Sequence, residues 1–182
     1  MPEHSPADIV RLLRDIETRS LLNAHSMPSE KEEVPLWEGV VFMVAGMRVI
    51  APLNEVREIL NYPSAVTVVP GTKPWVLGIA NVRGNLLPIL DLEVFLGGRG
   101  KKGFGLRSRV LVIEHNGIFA GLQISDVQGM RHFSEEQKTE VPVLHEGIRP
   151  YVEEAFVLDT EALPVLSFSA MTDDPEFQVA AA

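Results

Sequence analysis

The sequence predicts an all-β domain built of small barrels or a sandwich, carried behind an N-terminal helix. From Leu36 onward, apolar runs of strand length recur, and turn signals rich in glycine separate them. No long helical pattern follows each run, as a parallel α/β sheet would need. Before Leu36 the texture differs. Ser5 can cap a helix, Pro6 suits its first position, and Asp8 stands three residues after the cap. Ile9, Leu12, Leu13 and Ile16 then follow helical spacing, with Arg11, Arg14, Asp15 and Arg19 opposite. The helix is expected to run to about His25, and Ser26 to Pro35 reads as a polar linker. Residues 1–35 are therefore a helical extension expected to be dispensable for folding, and residues 36–182 are the main domain.

Four hairpins are expected in that domain. Val40–Val44 and Met47–Ala51 flank Ala45-Gly46, and Val76–Val82 and Leu86–Leu90 flank Arg83-Gly84-Asn85. In the second, the bend is placed at Gly84-Asn85, because glycine and asparagine tolerate positive φ. Val110–Glu114 and Ile118–Leu122 flank Asn116-Gly117, a strong short hairpin signal. Ala155–Leu158 and Pro164–Phe168 flank Asp159-Thr160-Glu161. Leu53–Leu60 reads two ways: Asn54 can cap a short helix, while Val56, Glu58 and Leu60 alternate like a strand. Gly97 to Gly105, G-G-R-G-K-K-G-F-G, is expected to mark a boundary between two lobes near 97–105. It is not a phosphate loop, because Phe95 and Lys102 occupy positions that such a loop gives to glycine and to serine or threonine.

Composition narrows the function. The chain carries a formal charge of −9, which disfavours nucleic acid or an anionic membrane as main partner. The absence of cysteine removes disulfides, thiolate metal sites and a cysteine nucleophile. The histidines His4, His25, His115, His132 and His145 form no metal spacing, so no metal and no cofactor is expected. His115 abuts a turn and reads as an exposed hairpin residue; His132 and His145 read as solvated residues in a polar connection. No G-x-S-x-G elbow occurs, and Asp91, Glu93, Glu114 and Asp126 would serve as paired carboxylates only if the fold gathered them. No apolar run approaches the ~20 residues of a membrane helix, and the N-terminus lacks the pattern of a secretory signal. A cytoplasmic protein without direct membrane insertion is expected, and the spread aromatics, Phe42 to Phe168, read as core.

Trp75 to Leu96, W-V-L-G-I-A-N-V-R-G-N-L-L-P-I-L-D-L-E-V-F-L, says most about partners. Arg83 is the only charge between Trp75 and Leu90. A guanidinium amid that much apolar sequence either finds a carboxylate or stands at a surface made for a partner. Gly78, Asn81, Arg83, Gly84, Pro88, Asp91 and Leu92 together resemble the signature of CheW-like domains, adaptors that join chemoreceptors to a histidine kinase. The resemblance extends to Val56-x-Glu58-Ile59, to Val69-Pro70-Gly71 with Pro74-Trp75, to Val110–Glu114 with Gly117–Leu122, and to Tyr151. It covers about Leu36 to Phe168.

That resemblance implies two intertwined five-stranded SH3-like barrels sharing a hydrophobic seam. It also implies a non-catalytic role between two partners, a methyl-accepting chemotaxis receptor and a CheA-type histidine kinase. Arg83, Glu58, Gly78, Asn81, Gly84, Ile124 and Val127 are the implied receptor-binding residues; Val56, Ile59 and Leu60 are the implied kinase-binding ones. Arg83 and Glu58 are expected to pair, either as part of the contact or only to hold the hairpin. For Val56, Ile59 and Leu60 a place in the core is an equal alternative. The sequence departs from the family at Ser125 and Glu154, which replace an aspartate and a glycine, and at Ser167-Phe168, which replace Leu-Asp. With the N-terminal helix, these features make the chain most similar to adaptors of chemosensory systems that control type IV pili and twitching motility. The alternative reading is a small-molecule or peptide-binding β-barrel.

Overall fold

The computed structural model describes residues 36–100 and 107–180. The expected helix and linker of residues 1–35 lie outside them. Strands β1 (Trp37–Val44) and β2 (Met47–Pro52) come first, followed by a single 3₁₀ turn (Leu53–Glu55). Next come β3 (Glu58–Asn61), β4 (Val76–Val82), β5 (Asn85–Asp91) and the short helix α1 (Leu92–Phe95). Then follow β6 (Arg109–His115), β7 (Ile118–Ile124), β8 (Asp126–Phe133) and β9 (Lys138–Thr139). The described chain closes with β10 (Val152–Leu158), β11 (Glu161–Leu166), α2 (Phe168–Asp173) and α3 (Pro175–Gln178). The all-β expectation holds. Leu53–Leu60 contains both of its alternatives, the 3₁₀ turn and then a strand.

The strands form a six-stranded sheet, β8-β1-β2-β11-β10-β9, and a five-stranded one, β3-β6-β7-β5-β4. The first exceeds the expected five strands through β9, a two-residue strand on β10. The second is built by β3 to β7 without interruption, so it is inserted into the first along the chain, and the lobes are intertwined. The chain changes sheet between β2 and β3 and between β7 and β8. Gly97–Gly105, expected at a lobe boundary, instead falls between β5 and β6 of one sheet.

All four expected hairpins are present, each closed by two residues with positive φ: Ala45-Gly46, Arg83-Gly84, Asn116-Gly117 and Asp159-Thr160. That geometry matches the right-handed twist of the flanking strands. Several boundaries differ from expectation; Glu161, expected in the last turn, pairs with Leu158 and opens β11. Asn85 is not in its turn but pairs with Val82, which leaves Arg83 in the left-handed region at φ 52°. The last hairpin strand ends at Leu166, because Ser167 accepts a hydrogen bond from Ala170 N and caps α2.

Alternation along the strands explains why the apolar runs are nearly continuous. On β6, Val110 and Val112 face a small core with Ala80, Leu87 and Ile89 of the same sheet. Leu111 and Ile113 face the other way, into a large seam with Phe42, Val44, Val49 and Ala51 of the six-stranded sheet. Val41 and Ile50 fill that sheet's own core with Phe133, Phe156 and Leu163. Strands buried on both faces need apolar residues at every position. Gly121 on β7 fits the same scheme, since a Cβ there would stand 2.6 Å from Val110 Cγ1. Asp91 caps α1 by accepting from Val94 N, and Leu92 is buried in the seam, which gives the Asp-Leu end of the Trp75–Leu96 stretch its structural meaning.

The end of the described chain covers the seam. Phe168, Met171 and Phe177 are buried there, and Phe177 stacks on Trp75 with ring centroids 5.8 Å apart. Tyr151 Oη donates to Asp174 Oδ2 at 2.8 Å. Burial, then that bond and the charge of Asp174, hold the phenol well above the usual tyrosine range. The raised value has a sign. Below about pH 10 both folded and unfolded chains keep this proton; above it the unfolded chain ionises first, so stability falls with rising pH. Tyr151→Phe should lose less thermal stability than the parent between pH 9 and pH 11, as read by circular dichroism melts. An identical loss in both would show that Tyr151 does not contribute to alkaline unfolding.

Candidate functional site

β3 and β4 are the two edges of the five-stranded sheet, and the residues singled out from the sequence meet where those edges approach. The β4–β5 turn presents Arg83, whose Nη1 donates to Glu58 Oε2 of β3 at 3.0 Å. The Arg83 side chain is 74% exposed and that of Glu58 33%. A guanidinium has five N–H donors, and the hydrogen bond to Glu58 uses one of them. Asn81 Oδ1 accepts from Gly84 N at 2.9 Å and holds the turn that aims Arg83.

The connection from β3 to β4 lies along the free side of β4, where Thr67 and Ile79 exchange backbone hydrogen bonds of 2.8 and 2.9 Å. Gly78 permits this approach. Its φ is +140°, and a Cβ would lie 2.2 Å from the Thr67 carbonyl oxygen. Gly78 is buried beneath the Thr67 connection, whereas Gly84 is exposed in open space. Between the edges lies an open groove of about 510 Å³ lined by Leu60, Thr67, Ile79, Asn81, Val82 and Arg83.

Of the other expected residues, only Leu60 joins this group, in the groove lining. Ile124 is 2% exposed and packs in the seam, which corrects its assignment to direct receptor contact. Val127 is half-buried on β8, opposite Phe42 in the six-stranded sheet, and packs against the seam. Val56 is half-buried against the seam, and Leu60 against the small core beside the groove. Of the three expected kinase residues only Ile59, 39% exposed, stands open to solvent. It faces away from Glu58 and Leu60, because side chains alternate along β3.

Sequence reasoning missed two exposed apolar residues near the hairpin, Val68 at 72% and Leu86 at 70% exposure. Leu86 pairs with Asn81 across the ladder and so shares its outer face. The signal was available: with the turn set at Arg83-Gly84, Leu87 and Ile89 alternate inward and Leu86 outward. The departures from the family pattern have local partners. Glu154 pairs with Lys138 at 2.7 Å, and their hydrogen bond and charges raise the lysine's proton affinity. At Ser125, among the described residues, only the backbone is engaged, its N–H donating to Met43 O, a bond that does not depend on the side chain. Among the described residues, no cluster of three or more acidic, cysteine or histidine side chains could hold a metal, and no helix is long and apolar enough to cross a membrane. The site offers an ion pair, a turn and apolar flanks, which suit recognition.

The profile of the CheW-like domain matches residues 38–176. Protein PilI of Pseudomonas aeruginosa is 42% identical over 147 residues, 80% of this chain and 82% of that protein. Chemotaxis protein CheW of Helicobacter pylori is 33% identical over 113 residues, 62% of this chain and 66% of the relative. Among solved structures, the scaffolding protein TtCheW of Thermoanaerobacter tengcongensis superposes with a TM-score of 0.67 at 24% identity, covering 78% of this chain and 95% of that one.

Proposed function

We propose that this chain, which belongs to the CheW-like domain family, is a non-catalytic adaptor coupling a methyl-accepting chemotaxis receptor to a CheA-type histidine kinase. The observation that carries the reading is the Arg83–Glu58 pair, exposed where two sheet edges meet, beside an open groove and with Leu86 exposed on the same hairpin. An exposed pair contributes only ~0–1 kcal/mol to folding, so its value lies in what it presents. Arginine flanked by apolar surface is the composition of a binding hot spot. The protein acts in the cytoplasm, within receptor arrays at the inner membrane, and needs neither metal nor cofactor. The similarity to Protein PilI supports a chemosensory system that controls type IV pili and twitching motility.

The test is recovery of the tagged chain from its native cell, with co-purifying proteins identified by mass spectrometry. A receptor and a multidomain histidine kinase should be recovered together. Recovery of neither, at a bait level that captures known array components through a tagged kinase control, would contradict the adaptor reading.

A further inference from the structure

We infer that Glu55 is a positioning residue, tying the lead-in of β3 to the first turn of α2 and so setting where Glu58 and its partner Arg83 stand. The significance for partner binding rests on the adaptor reading; the tie itself does not. Glu55 ends the 3₁₀ turn that leads into β3, only three residues before Glu58. Both of its carboxylate oxygens are engaged by one distant segment. Oε2 accepts from the backbone N–H groups of Phe168 and of Ser169, the latter at 3.2 Å. Oε1 accepts from Ser169 Oγ at 2.7 Å and from Ser167 Oγ at 3.3 Å. Ser167 Oγ and Ser169 Oγ also lie 2.8 Å apart and share their two protons between that contact and Oε1. Two backbone N–H groups and at least one hydroxyl therefore converge on the carboxylate as a directional clamp; charge-assisted hydrogen bonds are shorter and stronger than neutral ones.

The clamp falls on one of the positions where the sequence departs from the pattern that the resemblance implies. Where the family closes on Leu-Asp, this chain has Ser167-Phe168 and no carboxylate at that point. Ser167 caps α2 through Ala170 N, and the acidic group comes from another element, Glu55. A carboxylate carried within residues 167–168 would satisfy the helix alone. A carboxylate supplied from the β2–β3 connection also fixes that connection. Among the described strands, β3 has a ladder partner on one side only, β6, which also takes the Arg57 N–H on Val112 O at 2.8 Å; Glu55 adds a second restraint from the other direction, ahead of that bond. The helix is too short for its dipole to matter; the hydrogen bonds carry the effect.

Amide hydrogen exchange on the full chain tests this directly. Glu55→Gln turns one carboxylate oxygen into an NH₂ group facing donors. Amides of Phe168 and Ser169 and of residues 58–61 should exchange roughly tenfold faster, while those of β1 and β2 stay unchanged. The double variant Glu55→Ala with Ser167→Asp restores a carboxylate to α2 alone. Its α2 amides should recover while 58–61 stay fast. Recovery of 58–61 in that variant, or no change there in Glu55→Gln, would reduce Glu55 to a helix cap and overturn the inference. If Glu55→Gln does not fold, Ser169→Ala removes one clamp bond, and equal protection of 58–61 in it and the parent would equally overturn it. Titration with a receptor cytoplasmic fragment separates the two ideas. A parent that binds, with several-fold weaker binding by Glu55→Gln, supports both. A parent that fails to bind while exchange follows the pattern above counts against the adaptor reading and leaves the tie supported.

Discussion

Replacing Gly78 by alanine is expected to lower the thermal midpoint by roughly 10–15 °C. The backbone there has φ +140°, a region that side-chain-bearing residues avoid, and the new methyl would stand 2.2 Å from the Thr67 carbonyl oxygen. The clash is with backbone held by two hydrogen bonds to Ile79, so it cannot be relieved by a rotamer change. Strain and overpacking each cost about 1–3 kcal/mol, and 1 kcal/mol moves a domain of this size by ~2–4 °C. Gly84→Ala is the control. Gly84 also has positive φ, +88°, but no atom of the described residues lies within 4 Å of the added methyl. Only the backbone term applies there, and a drop of a few degrees is expected. Calorimetry of both variants decides: a Gly78→Ala loss no larger than that of Gly84→Ala would show that the Thr67 connection does not pack as described.

Arg83→Glu is expected to fold normally and to lose receptor binding by about 30-fold or more. Position 83 is in the left-handed region in the parent, and glutamate is no worse there than arginine. The lost pair is exposed, and repulsion between the introduced carboxylate and Glu58 is screened, so the midpoint should shift by no more than a few degrees. Binding responds differently, because an arginine anchor at an interface is commonly worth ~2 kcal/mol or more. The double swap, Arg83→Glu with Glu58→Arg, should restore part of the affinity if the pair itself is sensed. It should restore none if Arg83 touches the receptor. Calorimetric titration with a receptor cytoplasmic fragment reads both variants; unchanged affinity in a folded Arg83→Glu protein would remove this hairpin from the interface.

The hairpins were legible because glycine-containing pairs such as Asn116-Gly117 sit between apolar runs, and local turn chemistry sets local geometry. The pairing of Arg83 with Glu58 was expected from the family resemblance. What escaped was non-local. β8 was not expected, since Asp126–Phe133 is polar and exposed over much of its length. Its His132, read as solvated in a connection, instead sits in a strand with Nε2 2.8 Å from Glu38 Oε1 on β1. The insertion of one sheet into the other could not be read from Gly97–Gly105, because glycine content marks a turn without saying which strands it joins. Ile124 illustrates the same limit: a motif position gives no exposure, and the seam that buries it is made by residues from both sheets. The Glu55 clamp spans 113 residues and left no periodic signal at all.

The most direct measurement of the adaptor claim is kinase autophosphorylation in a reconstituted mixture of the native receptor's signalling fragment, the native CheA-type kinase and this chain. The account predicts that receptor control of the kinase appears only when the chain is present, and that Arg83→Glu at the same concentration fails to support it. Equal receptor control with and without the chain, under conditions where all three proteins are folded, would contradict it.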